Sequence, residues 1–198
     1  MSPTLSVSDN RVVYPVVIEG ERVWLREFEA ADGPAVQRWT GDVAVVQYVP
    51  LGPTDDEGAR RYVASIVAEA SVSERSTYTL AVMERDGNDP IGAVALTVDS
   101  TRHRRGELGY LLRQDRWGRG LATEAARLVV DFAFRDLGLH RVWAVCDPEN
   151  QASGAVLTKL GMQREGLLRH DLLIGDEWRD SALYAVLEDD WDAEAVYL

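Results

Sequence analysis

The spacing of hydrophobic and polar residues changes period within one continuous stretch, residues 107–134. Up to Leu112 the residues alternate between two faces, with the two-residue period of a strand. From Leu121 onward apolar residues recur every three or four positions, which is the period of an amphipathic helix. The segment from Arg116 to Gly120 joins these two parts. The pattern therefore predicts a strand, a glycine-containing turn and a helix in succession.

The same two periods divide the rest of the chain. Helix starts are predicted at Asp32-Gly33-Pro34, at the Thr54–Glu57 capping box and at Asn150. Residues 1–20 lack clear periodicity and are predicted to be an N-terminal arm, whose valines at 12, 13, 16 and 17 are candidates for pairing at an interface. Residues 21–198 are predicted to form one α+β domain on a mixed sheet. The other six predicted strands lie at residues 23–28, 77–84, 91–99, 141–146, 164–174 and 178–187, which makes seven in all.

The turn between the strand and the helix has the chemistry of a phosphate site. Gly118 and Gly120 carry no Cβ, so backbone N–H groups at the start of the helix can approach an anion. Three arginines, at 113, 116 and 119, lie beside them. A bare Gly-x-Gly also fits an ordinary tight turn with solvated arginines. The Walker loop is absent, and Thr123 replaces the third glycine of the dinucleotide fingerprint.

Composition narrows the class of protein. The chain has 198 residues, 46% hydrophobic content and a net charge of −12, which fits a folded globule and argues against nucleic-acid or anionic-membrane partners. The acidic balance would attract amines, although it also serves solubility alone. The first ten residues lack a signal sequence, no apolar run has the length of a membrane span, and Cys146 is the single cysteine. These features predict a cytoplasmic protein.

Four spaced motifs carry a resemblance to a known family: residues 117–124, 147–153, 160–166 and 175–180. With them, the chain from about Val23 to Trp191 resembles the GNAT N-acetyltransferases, and within these the RimJ/RimL-like branch that acetylates N-termini of ribosomal proteins. One position departs from the acyl-CoA signature of the superfamily, because Asp115 stands where glutamine or arginine is usual.

The resemblance implies a single-domain GNAT fold, with a mostly antiparallel sheet and a splayed central strand pair, that binds acetyl-CoA as cosubstrate. A backbone N–H near Leu111 or Leu112 would polarise the donor carbonyl, and Asn150 would hydrogen-bond the pantetheine arm. The branch also implies a homodimer. The CoA pyrophosphate would lie on the turn amides of Trp117, Gly118, Arg119, Gly120, Leu121 and Ala122.

Two side chains are the candidates for catalysis. Glu107 is the candidate base that takes the amine proton, directly or through water; the alternative is a solvated carboxylate paired with Arg104 or Arg105. Ser153 is the candidate hydrogen-bond donor to the leaving thiolate. For Ser153 and Asn150 the alternative is helix capping.

The predicted function is acetyl transfer from acetyl-CoA to a primary amine, a protein N-terminus or a small molecule, by direct attack in a ternary complex. The alternative is a non-catalytic acyl-CoA sensor or scaffold of the same fold. The three histidines share no metal-ligand spacing, so no metal site is predicted. Trp24, Trp143 and Trp178 are predicted to pack in the core or on a sheet face, while Trp39, Tyr48 and Trp178 are alternative candidates for lining an acceptor pocket.

Overall fold

The computed structural model describes residues 14–192 of the chain. They form one mixed sheet with helices on both faces. The helices are α1 Gly33–Thr40, α2 Val43–Val46, α3 Asp56–Ala70, α4 Leu121–Arg135 and α5 Gln151–Lys159. The strands are β1 Val17–Glu19, β2 Val23–Glu27, β3 Thr77–Glu84, β4 Pro90–Ser100, β5 Arg105–Leu112, β6 Arg141–Cys146, β7 Gln163–Ile174 and β8 Glu177–Leu187.

The sheet has the strand order β1-β2-β3-β4-β5-β6-β8-β7. Among the described strands, β5 and β6 are the parallel pair and every other neighbouring pair is antiparallel. The predicted α+β class with a mixed, mostly antiparallel sheet is confirmed. The strand number is eight rather than seven, because residues 17–19 of the predicted arm pair with β2. A three-residue strand is too short to show a period, and Val12 and Val13 lie outside the described residues.

Two helix starts differ in detail from the sequence prediction. The predicted capping box of Thr54 and Glu57 does not form: Asp55 caps α3 by accepting from the Gly58 N–H at 2.8 Å, and glycine has no side chain to complete a box. The Thr54 hydroxyl instead donates to Thr40. The Asp32 carboxylate makes no cap to α1 and binds the Arg26 guanidinium in two hydrogen bonds of 2.7 and 2.8 Å.

Each face of the sheet has its own hydrophobic core. Helices α1 and α3 cover one face, where Trp39 is fully buried. Helix α4 covers the other through the apolar stripe that the sequence predicted, with Ala125 and Val129 buried. Truncating a large buried side chain in such a core costs about 2–5 kcal/mol. The central strands are therefore held firmly from both sides.

The parallel pair β5 and β6 separates along its length. Pairing is limited to three residue pairs and ends at Glu107 opposite Trp143. Beyond that point β5 continues beside β4 as far as Leu112, and β6 continues beside β8 as far as Cys146. The predicted splayed pair is confirmed. The resulting gap, with Glu107 at its closed end, positions the candidate site.

Candidate active site

One cavity of about 720 Å³ follows the gap. Its walls are β5, the N-terminal turns of α4 and α5, and residues from Ala44 of α2 to Pro50 after it. All predicted site residues except Arg119 line it: Glu107, Leu111, Leu112, Trp117, Gly118, Gly120, Leu121, Ala122, Asn150 and Ser153. Arg119 instead lines a neighbouring cavity. The structure therefore brings the predicted cofactor and catalytic residues into one space.

The turn before α4 exposes its backbone to this cavity. Gly118 and Gly120 have φ values of +72° and +76°, a conformation that only glycine adopts without strain. Nothing lies within 4 Å of a Cβ built on Gly118, so the space beside it is open. No side chain caps α4, which leaves the N–H groups of Leu121, Ala122 and Thr123 without helical partners. Uncapped amides at a positive helix end fit a diphosphate.

Arg22 fixes this turn from behind. Its guanidinium donates to the Arg119 carbonyl at 2.8 Å and to the Glu124 carboxylate at 2.7 Å. Glu124 also accepts the backbone N–H groups of Arg22 and Val23, at 2.7 and 3.2 Å. Burial raises the pKa of Glu124, but these hydrogen bonds outweigh burial and hold the pKa below its usual value. No sequence pattern indicated the role of Arg22, which lies 102 positions before its partner Glu124.

Two of the three arginines near the turn are already paired. Arg113 and Arg116 both bind Asp115, and Arg116 also binds Glu84 at 2.8 Å. The Arg113 hydrogen bond is the largest cause of an Asp115 pKa lowered to about 2. Asp115, the departure from the family signature, thus orders two arginines at the rim of the turn. Within residues 14–192, the side chain of Arg119 makes no hydrogen bond or ion pair.

The free edge of β5 offers backbone groups to the cavity. The Arg113 N–H donates to the Ile91 carbonyl of β4 at 2.9 Å. Because antiparallel ladders alternate direction at each residue, the Leu111 N–H also faces β4, whereas Tyr110 and Leu112 direct their N–H groups into the gap. The Leu111 N–H faces β4 and cannot reach a ligand in the gap. Of the two N–H groups predicted to polarise the donor carbonyl, the Leu112 N–H is therefore the candidate.

Glu107 lies at the closed end of the gap and is half-buried. Within the described residues no side chain pairs with its carboxylate: Arg105 binds Asp99, and Arg104 pairs elsewhere. The alternative of a paired strand-end carboxylate is therefore wrong. Burial, followed by repulsion from Asp99 and Asp171, raises the pKa of Glu107. A carboxylate with a raised pKa is a stronger base.

The start of α5 forms the opposite wall. The Asn150 side chain accepts the Ser153 N–H at 3.0 Å, so the predicted cap is present. The Ser153 hydroxyl lies 2.9 Å from the Tyr110 hydroxyl across the gap. Arg179 of β8 holds the preceding turn by binding the buried Asp147 carboxylate at 2.9 Å. Neither the Tyr110 contact nor the Arg179 contact was predicted from the sequence.

The three aromatic residues that were candidates for lining an acceptor pocket lie in different places. Tyr48 lines the cavity. Trp39 is fully buried in the core, and Trp178 is 58% exposed on β8. Trp178 therefore lies outside the core, and its indole stacks on His170 of the adjacent strand β7, which agrees with the predicted packing on a sheet face. Trp143 donates from its indole to Asp99 at 3.0 Å.

Other site chemistries find no support in residues 14–192. No group of histidine, cysteine and acidic side chains there has the geometry of a metal site. Burial raises the pKa of the Cys146 thiol, which makes it a poor nucleophile. No helix in this part of the chain has the length and hydrophobicity needed to cross a membrane.

Comparison with known proteins decides the family. Residues 22–163 match the acetyltransferase (GNAT) domain, which is more than half of the chain. The chain belongs to the GNAT acetyltransferase family. It is similar to the uncharacterized N-acetyltransferase YnaD of Bacillus subtilis, with 33% identity over 175 residues, 88% of this chain and 99% of YnaD. This GNAT chain is therefore an acetyltransferase that uses acetyl-CoA as cosubstrate and acts on amines.

Two further relatives bear on the cofactor and the acceptor. The structure of Mycobacterium smegmatis RimJ in complex with CoA-disulfide superposes with a TM-score of 0.77 at 26% identity, covering 89% of each chain. The spermidine N(1)-acetyltransferase of Escherichia coli K12 is 33% identical over 113 residues, 57% of this chain and 60% of that enzyme. These similarities confirm the GNAT superfamily with RimJ-like neighbours.

Proposed function

We propose that this acetyltransferase transfers the acetyl group to a primary amine by direct attack in a ternary complex, with the acceptor a protein N-terminal α-amine or a small-molecule amine. The observation that carries the proposal is the half-buried Glu107, which has no partner within residues 14–192 and lies at the closed end of a cavity whose other end is the Gly118–Gly120 turn. Both groups lie on one continuous surface, so a single elongated ligand can contact both.

The turn would hold the diphosphate. The amides from Gly118 to Ala122, Arg119 included, would donate hydrogen bonds to the phosphate oxygens, and the helix dipole adds to the attraction. The Trp117 N–H, which was predicted to join them, instead donates to the Gln114 carbonyl at 3.1 Å. The free edge of β5 would pair with the pantetheine arm as an added strand. The Asn150 side chain, which already accepts one N–H, would use its amide group on the same arm.

Glu107 and Ser153 would handle the protons. Bound acetyl-CoA supplies an activated thioester. Glu107 accepts a proton from the amine, directly or through water, as the amine nitrogen bonds to the acetyl carbon and the carbon–sulfur bond breaks. The Leu112 N–H stabilises the charge that develops on the acetyl oxygen. The Ser153 hydroxyl hydrogen-bonds the departing sulfur.

The acidic surroundings of Glu107 support an amine acceptor. Asp99 and Asp171 lie near enough to raise its pKa, and their field favours a cation at this end of the cavity. Spermidine is the acceptor named for one relative. The branch resemblance favours a protein N-terminus. Both belong to the class of primary amines, and the acceptor panel below separates them.

A homodimer and a cytoplasmic location are part of the same proposal. Strand β7 is an edge of the sheet, and Leu167, Leu173 and Trp178 of the β7–β8 hairpin are 46%, 49% and 58% exposed. An edge strand with exposed apolar side chains suits association with another chain. Light scattering of the purified protein measures the dimer directly. The cytoplasmic location is supported by Cys146, a free thiol.

The test is thiol release from acetyl-CoA with a panel of acceptors: spermidine, a free amino acid amide and peptides with different N-terminal residues. The proposal predicts turnover with at least one primary amine, and mass spectrometry of the product identifies the acetylated nitrogen. CoA binding by calorimetry without turnover on any acceptor would support the alternative, a non-catalytic acyl-CoA sensor or scaffold.

A further inference from the structure

Tyr110 connects the two walls of the gap. It lies on β5, and its hydroxyl reaches Ser153 at the start of α5, 43 positions later. The hydroxyl is 2.9 Å from Ser153 Oγ and 3.1 Å from the Ser153 carbonyl oxygen. Both residues line the cavity. A phenol thus contacts the same serine that the proposed mechanism places beside the leaving sulfur.

We propose that Tyr110 is a positioning residue for acetyl transfer, which orients the Ser153 hydroxyl so that its proton points to the departing sulfur. This inference rests on the role of Ser153 in the proposed function. Tyr110 itself donates no proton to the reacting atoms and acts only through Ser153.

The hydrogen-bonding capacity of serine explains why a partner is needed. A serine hydroxyl has one donor proton and two lone pairs, and it rotates freely unless it is held. The Tyr110 hydroxyl has a single proton, which it can donate either to Ser153 Oγ or to the Ser153 carbonyl. In the arrangement that the proposal requires, Tyr110 donates to Ser153 Oγ, which occupies one lone pair and leaves the serine proton for a different acceptor. Without Tyr110, the serine hydroxyl is free to rotate and its proton can turn away from the sulfur.

The surroundings of Tyr110 keep it in the donor form. Its ring packs against the core beneath α4, and burial is the largest cause of a raised pKa. The phenol therefore remains protonated throughout the range in which amines are acetylated. A neutral, buried hydroxyl that cannot ionise is suited to a constant orienting role.

The two acceptors within reach of Tyr110 make two roles separable. In Ser153→Ala the carbonyl of residue 153 is still present, so Tyr110 can keep a structural link between β5 and α5 through that oxygen. The contact with Ser153 Oγ is lost in that variant. Only the contact with Oγ serves the proposed positioning.

A double-mutant cycle tests the inference, with Tyr110→Phe and Ser153→Ala alone and together. Phenylalanine keeps the ring and removes the hydroxyl. We expect Tyr110→Phe to lower kcat about fivefold to tenfold in the wild-type background, the size of one hydrogen bond, with the KM for acetyl-CoA changed less than twofold. In the Ser153→Ala background the same change should leave kcat unaltered.

Tyr62→Phe is the matched control, because Tyr62 is a partly buried tyrosine of α3 outside the cavity. It should leave kcat unchanged. Calorimetry with CoA gives the fraction of competent sites in each variant, so that kcat is expressed per folded site.

Each other outcome has a defined meaning. An equal loss of kcat from Tyr110→Phe in both backgrounds would assign Tyr110 a structural role and overturn the inference, as would no loss in the wild-type background. A Ser153→Ala variant with full kcat would remove the role of Ser153, and this inference with it, while acetyl transfer itself stands. A wild-type protein without turnover on any amine would overturn the proposed function as well.

Discussion

The two ends of the cavity are built in different ways. The turn end consists of backbone, supplied by the continuous segment from Trp117 to Thr123 and fixed by Arg22 and Glu124. The opposite end consists of side chains from separate elements: Glu107 from β5, Ser153 from α5 and Tyr48 from the segment after α2. The first end is held on its outer side by hydrogen bonds from Arg22, whereas Glu107 at the second end has no partner among the described residues.

This difference separates binding from chemistry. A preformed amide turn loses little conformational entropy when an anion binds, so it suits a cosubstrate that many acceptors share. An unpaired carboxylate in a half-buried site costs stability, and the cost is compensated only when a substrate proton or cation arrives. Changes at the turn should therefore affect affinity for CoA, and changes at the carboxylate end should affect turnover.

The largest effect is expected from Gly118→Val combined with Gly120→Val. Valine at positive φ is strained, and its side chain would fill the approach to the amides. We expect affinity for CoA to fall at least about 100-fold in calorimetry, since several charge-assisted hydrogen bonds are lost together.

Gly138→Val is the matched control for this pair. Gly138 also has positive φ, +63°, with nothing within 4 Å of a built Cβ, but it follows α4 at the far end from the cavity. This variant should lose stability and keep CoA affinity. Unchanged affinity in the double variant would contradict the turn as the diphosphate site.

The next effect is expected from Glu107→Gln, which keeps shape and removes the base. We expect kcat to fall about 100-fold, within the range of general-base catalysis, while CoA affinity stays within twofold. Glu57→Gln, on the exposed surface of α3, is the control and should behave as wild type. A fall in kcat of less than threefold would exclude Glu107 as the base, and a chain of water molecules would then have to accept the amine proton.

The pH dependence sharpens the assignment. Only the ionised carboxylate of Glu107 can accept the proton, so kcat/KM should increase as pH rises through the pKa of Glu107. Because that pKa is raised, the midpoint of the increase should lie above the ordinary value of 4.5. Glu107→Gln should remove that increase. If the same increase of kcat/KM with pH persisted in Glu107→Gln, it would report the titration of another group.

Stability should respond in the opposite direction to activity. Because the folded-state pKa of Glu107 is raised, its contribution to stability is full below the unfolded pKa and is lost as pH rises through the folded pKa. Glutamine stays neutral, so Glu107→Gln should unfold at a higher temperature than wild type at pH 7, with no difference at pH 4. Equal melting temperatures at pH 7 would show that the site does not disfavour the carboxylate.

The smallest effect is expected from Arg22→Ala. Arg22 is partly exposed, so its hydrogen bonds to the turn are screened by solvent. We expect CoA affinity to fall about threefold to tenfold with kcat at saturation unchanged. Arg61→Ala, which removes an exposed pair on α3, is the control. A fall in kcat without a change in affinity would contradict a role confined to the turn.

Sequence patterns predicted the fold where each element is long and bounded by turn residues. The limits of β3 and β6 agree with the structure. The strand β1 and the one-turn helix α2 were missed, because three or four residues show no period. The helix cap is Asp55 instead of Thr54, because both residue types are acceptable caps and the sequence does not choose between neighbours.

The candidate site also has a part that the sequence predicted and a part that it did not. The turn was predictable because its chemistry is contiguous in the chain. The contacts of Arg22 with Glu124, Tyr110 with Ser153 and Arg179 with Asp147 join residues 102, 43 and 32 positions apart. A single sequence contains no pattern for such pairs, since they exist only after the sheet has formed.

The central claim is that the turn holds the diphosphate and directs the sulfur of CoA into the gap between β5 and β6. A crystal structure of the protein with CoA tests it most directly. The account predicts electron density for the diphosphate on the amides of Gly118 to Ala122, the pantetheine arm along β5, and the sulfur beside Ser153 on the Glu107 side of the gap. Density that placed the diphosphate away from this turn, or the sulfur outside the gap, would contradict it.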